Sequence, residues 1–193
     1  MGEKTKIPNY WLHLQRNQNH NNMNSIIRLF IFSILISSSV FAQEPTFQNS
    51  LLDRLSGKWI LRGTIAGTKT THDIQADWVL GHQYLKLVEV SREKKATGEA
   101  EYEAIVFIGW DQPSEGYACL WLDNTGGGGL VGEAIGHAKQ SGNEIPFLFH
   151  SPDGSIFHNR FTFNPDNDEW QWAMDNETSG KLQPFARVTL TRK

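Results

Sequence analysis

From Gly57 to the C-terminus, apolar and polar side chains alternate with a period of two, broken at short intervals by turn-forming clusters. Trp59, Leu61 and Ile65 share one face with Gly63, while Lys58, Arg62 and Thr64 take the other; Ile60 is the exception. Successive side chains of a strand point to opposite faces, so this pattern predicts a strand with one buried side. His72, Ile74, Ala76, Trp78 and Leu80 alternate against Thr71, Asp73, Gln75 and Asp77, giving the clearest two-faced segment of the chain. Further strands are predicted over 84–89, 102–110, 117–122, 130–138, 144–150, 155–163, 169–175 and 183–191. Their boundaries are set by clusters such as Asp111-Gln112-Pro113-Ser114-Glu115-Gly116, Pro152-Asp153-Gly154 and Ser179-Gly180, in which Pro fixes one backbone angle and Gly tolerates the opposite sign. Only before Gly57 does the period change. Phe47, Leu51, Leu52 and Leu55 recur at a spacing of three to four, which predicts one or two turns of helix placed to close one end of a barrel.

About ten strands with short loops force antiparallel neighbours, because a parallel pair needs a crossover of roughly a dozen residues or more. An antiparallel meander of this length either exposes two edges or closes on itself, and closure removes the edges. The expected fold is therefore all-β: an up-and-down antiparallel β-barrel with a short N-terminal helix. A two-sheet sandwich with Greek-key crossings is the competing architecture.

The first 42 residues do not belong to this pattern. Arg28 precedes the apolar run Leu29-Phe30-Ile31-Phe32-Ser33-Ile34-Leu35-Ile36, and Ser37-Ser38-Ser39-Val40-Phe41-Ala42 supplies small residues for signal peptidase. Residues 1–42 are read as a leader with a signal peptide, Met23 as the true start, and 43–193 as one domain. The apolar run is shorter than the about 20 residues a bilayer span takes, so no stable membrane span is expected. The chain is expected to be exported, periplasmic or secreted, from a bacterial source. Its length of 151 residues beyond the leader is enough for one real core.

Setting the leader aside leaves 14 Lys and Arg against 20 Asp and Glu, a net charge of −6 with no basic patch, which argues against nucleic acid as a partner. The lone cysteine, Cys119, lies in the apolar stretch Tyr117-Ala118-Cys119-Leu120-Trp121 and reads as a buried inert thiol. Oligomeric state is left open by the sequence.

Gly57-x-Trp59 at the start of the first strand places a large ring on the inner face where glycine lets backbone approach closely. Val188, Leu190 and Arg192 share a face of the last strand, so Arg192 can stack its guanidinium on that ring and donate to the carbonyls of a barrel floor. These three residues, Gly57, Trp59 and Arg192, resemble the first-strand signature and closing arginine of the lipocalin and fatty-acid-binding (calycin) superfamily. Across residues 43–193 the chain is also similar to the secreted bacterial domain-of-unknown-function 1579 family, which implies no activity. More distantly it resembles the haem-binding nitrobindins, whose first strand carries closely spaced glycines after the tryptophan and whose haem hangs on one histidine. Here Leu61 stands where the first of those glycines is found, and only Gly63 fits.

The interior then carries any function. Six tryptophans and a set of phenylalanines beyond the leader either fill the barrel or line an apolar cavity with a few polar points, suited to a small apolar ligand. The candidate ligand-binding residues are Trp78, Trp110, His137, Phe147, His150 and Trp172. His72 shares the apolar face of Ile74 and Trp78 and reads as a hydrogen-bonded structural group. The five histidines at 72, 82, 137, 150 and 158 show no His-x-x-x-His pairing, so no metal is expected, and haem is the one cofactor kept as an alternative. The glycines at 126–129 lack a following Lys-Ser or Lys-Thr and open a strand, so they read as a mouth loop rather than a phosphate cradle. No Gly-x-Ser-x-Gly elbow occurs, Glu101 and Glu103 read as solvated charges on one strand face, and the chain is not expected to be an enzyme. A filled scaffold with no ligand is the third reading.

Overall fold

The computed structural model describes residues 51–125 and 130–193. The proposed leader and start site, and the glycines at 126–129, lie outside the described residues. Ten strands form one closed antiparallel barrel in which each pairs with its sequence neighbours and the first pairs with the last. They are β1 (Gly57–Ile65), β2 (Thr68–Val79), β3 (Tyr84–Ser91), β4 (Glu103–Asp111), β5 (Gly116–Asp123), β6 (Ile135–Ala138), β7 (Glu144–His150), β8 (Ile156–Asn164), β9 (Glu169–Thr178) and β10 (Lys181–Arg192). Closure leaves no sheet edge for another chain to extend. Among the described residues no helix is long and apolar enough to cross a membrane.

Alternation decides what faces inward. Along β3, Leu85, Leu87, Glu89 and Ser91 are buried while the intervening side chains are not. One expected strand is shorter than its apolar pattern: Leu130 and Val131 are exposed, Gly132–Ala134 forms a 3-10 turn, and β6 begins only at Ile135. Helix α1 (Leu51–Leu55) covers one end, burying Leu52 and Leu55. Its last carbonyls have no intrahelical donors. Trp59 Nε1 donates to Leu55 O at 2.7 Å, Arg192 donates to Ser56 O at 2.6 Å and Arg54 O at 2.9 Å, and Trp170 Nε1 donates to Arg54 O at 3.4 Å.

The Arg192 guanidinium lies 3.8 Å above the Trp59 ring and also donates to Asp168 at 3.0 Å. Gly57 makes room for it. A Cβ at Gly57 would collide with Arg192 Nη1, and the local φ of +123° suits glycine alone. Above this floor the barrel is solid: Trp172 stacks on Phe161 at 4.5 Å, and Phe147 and Trp170 meet Phe161 edge-on at 6.2 and 6.4 Å.

Candidate functional site

The other half of the barrel is hollow. A cavity of about 810 Å³ opens between the β1–β2, β3–β4, β5–β6, β7–β8 and β9–β10 connections, the end away from α1. Its apolar wall comes chiefly from Trp121, Phe149, Phe157, Met174 and Phe185. Its polar wall comes from β2, β3 and β8, where His72, Glu89, Ser91 and Asn159 are all buried. Strand parity puts them there: His72 continues the inward series of Ile74 and Ala76, and Glu89 that of Leu85 and Leu87.

Two of these groups, His72 and Glu89, join Thr70 and Glu93 in a chain leading inward from the mouth. Thr70 Oγ1 donates to Glu93 Oε2 at 2.9 Å, so its only proton is committed. His72 Nε2, 2.7 Å from the same hydroxyl, must therefore donate to it. His72 Nδ1 lies 2.5 Å from Glu89 Oε1, sharing one proton with that carboxyl. The order hydroxyl, imidazole, carboxylate looks like a nucleophile, base and orienting acid. The proton count contradicts that role, because Nε2 already carries a proton and the hydroxyl proton points to Glu93. The chain is a rigid polar stripe, and Tyr102 stacks on His72 at 5.6 Å while accepting from Trp121 Nε1 at 3.1 Å.

Burial pushes the Glu89 carboxyl above its ordinary range, against the pull of His72. Burial also raises Glu93, but hydrogen bonds from its own amide, Thr70 and Thr71 outweigh it and hold that carboxyl below the usual range. Burial and the nearby Glu89 and Asp123 charges raise the Tyr102 phenol. Desolvation alone raises the buried Cys119 thiol, which stays protonated.

None of the six residues expected to bind ligand lines this cavity. Trp78 sits at the closed end, stacked on His82 at 4.1 Å, and Trp110 at the same end meets Tyr117 edge-on at 5.5 Å. His137 and His150 fall at outward positions and are exposed, His137 lying 3.8 Å from Asp111. Phe147 is buried in the filled half. Trp172 touches two of the lining residues: its Nε1 donates to Asn159 Oδ1 and its ring meets Trp121 at 5.5 Å. Glu101 is no strand-face charge but precedes β4 and lines the mouth.

Sequence reading singles out none of Glu89, Tyr102 and Asn159, and it takes Trp121 only as one of six tryptophans that fill or line the interior. One signal was available: polar residues at inward parity on adjacent strands, His72 on β2 and Glu89 on β3. No family model matches this chain, and comparison with curated proteins found no match.

Proposed function

We propose that this protein is an exported lipocalin-like binding protein that holds a small, largely apolar ligand in the open half of its barrel. The observation that carries this reading is the cavity itself. Its volume of about 810 Å³ lies within the about 300–1,000 Å³ of small-molecule sites, and aromatic walls with a few fixed polar groups are their usual lining. The calycin resemblance of Gly57, Trp59 and Arg192 supports the same reading, and the export leader at 1–42 belongs to it.

The haem alternative fits this lining poorly. His72 is the one histidine among the described lining residues, and both its ring nitrogens are engaged, with Glu89 and Thr70. An axial bond would have to break one of those partnerships.

Trp121 in the wall provides the test. Titrating the purified protein with 1-anilinonaphthalene-8-sulfonate and a panel of C8–C16 alcohols, retinoids and hemin is expected to change tryptophan emission saturably for at least one alkyl or aryl ligand. Hemin is expected to give no histidine-dependent Soret shift. If no probe binds saturably, and native mass spectrometry of protein from its own source carries no adduct, the reading fails.

A further inference from the structure

We infer that the cavity selects a cationic amphiphile, an apolar chain ending in an ammonium group, over a carboxylate lipid of the same length; the inference rests on the cavity-binding reading above. Charge at the mouth is one-sided. Glu93, Glu101, Asp123 and Glu133 all line it, and Lys69 is the one Lys or Arg among the described lining residues. None of the four carboxylates forms a salt bridge with Lys or Arg among the described residues. Neighbouring Arg92 is committed to Asp73 through two hydrogen bonds of 2.8 Å. An entering anion meets this field with like charge, whereas an ammonium finds carboxylates together with the faces of Tyr102 and Trp121.

A second observation lies deeper and is independent of the mouth. Asn159 lines the cavity, is 1% exposed, and its Nδ2 has no hydrogen-bond partner. The amide orientation is not arbitrary: an indole N–H only donates, so Trp172 fixes Oδ1 toward itself and leaves the NH₂ group free. A buried donor without an acceptor is costly, and a ligand oxygen supplies what is missing. That oxygen is a neutral hydroxyl, ether or carbonyl. A carboxylate would need several charge-assisted donors to repay its desolvation, and here it would find one amide with no Lys or Arg beside it. The ligand that satisfies both ends carries its ammonium at the mouth and a neutral oxygen at its inner end.

The experiment compares probes that share one chain: decylamine, decan-1-ol, decanoate and 10-aminodecan-1-ol, titrated by calorimetry at pH 7 and low salt, where a primary amine is protonated. Decylammonium is expected to bind at least tenfold tighter than decanoate, with decanol between them. The gap should shrink in 0.5 M NaCl, because mouth charges are screened there. In a Glu101→Gln/Asp123→Asn variant it should fall below threefold. Both substitutions keep size, and Asn retains the oxygen that caps Thr125, so the variant is expected to fold, which an unchanged urea midpoint checks. The Asn159 side-chain amide resonances are expected to shift with 10-aminodecan-1-ol and to stay near their free positions with decylamine. Decanoate binding as tightly as decylammonium overturns the charge inference while leaving the binding reading intact. Equal Asn159 shifts with both amines overturn the inner-oxygen part, and failure of all four probes overturns the binding reading and this inference together.

Discussion

Arg192 illustrates how much one side chain does at the floor. It stacks on Trp59, donates to Ser56 and Arg54, and reaches Asp168, so a single guanidinium joins the last strand to α1 and to the β8–β9 turn. Its planar fork permits this, where an ammonium would be a single point charge. Gly57 is the necessary counterpart. A Gly57→Ala substitution forces a side chain into a positive-φ position and into the space of the guanidinium, so it is expected to cost about 1–3 kcal/mol. The check is a lower urea midpoint at unchanged slope, accompanied by a change in Trp59 emission. A variant as stable as the parent would mean that Arg192 does not need the seat that Gly57 vacates.

At the scale of elements, the segment joining β3 to β4 is strapped across the mouth by Glu93. Its carboxylate accepts from Thr70 Oγ1 and from the Thr71 amide at 3.0 Å, and its backbone carbonyl accepts from Ser91 Oγ at 3.0 Å. Charge-assisted hydrogen bonds of this kind contribute about 1.5–3 kcal/mol each. Glu93→Ala is therefore expected to speed exchange of the Thr71 amide roughly ten- to hundredfold while leaving the Leu61 and Trp172 amides protected. Equal acceleration everywhere would show a global loss of stability instead.

The elements were largely legible in the sequence, and the site was not. Strand Glu144–His150 begins and ends where its alternation and flanking turns place it, because both signals are local. Leu130 and Val131 misled because exposed apolar residues beside a strand look like its continuation. Parity tells which face a residue takes but not its height in the barrel, and height separates Trp78 at the closed end from Trp121 beside the cavity. The alternation along β2 puts His72 at inward parity, as expected of a hydrogen-bonded group. Its partner Glu89 lies on the next strand, and only the β2–β3 register, which pairs Ile74 with Glu89, brings the two together.

For the molecule as a whole, a barrel filled below and hollow above carries an ionisable group at the boundary of the two halves. Glu89 is 3% exposed and faces His72, with Tyr102 and Asp123 acting on the same region. Burial holds its folded pKa above the ordinary glutamate value of 4.5, so the native state binds this proton more tightly than the unfolded chain does. The sign follows from that difference. The contribution of Glu89 is complete below pH 4.5 and is lost as pH rises through the folded value, each unit of difference corresponding to about 1.4 kcal/mol. Asp73 works in the opposite sense, since hydrogen bonds from Arg92 and Lys193 hold it below the usual carboxylate range. Its contribution is lost only as pH falls below about 3.8, so the two windows do not overlap. Replacing Glu89 by Gln removes the carboxyl titration and keeps a donor, the amide NH₂, for the unprotonated His72 Nδ1. Urea midpoints measured from pH 4.5 to 7 are therefore expected to decline in the parent and to run flatter in Glu89→Gln, so that the variant gains on the parent as pH rises. Parallel profiles would mean that Glu89 keeps its ordinary affinity for the proton, and that water reaches the polar stripe freely from the cavity.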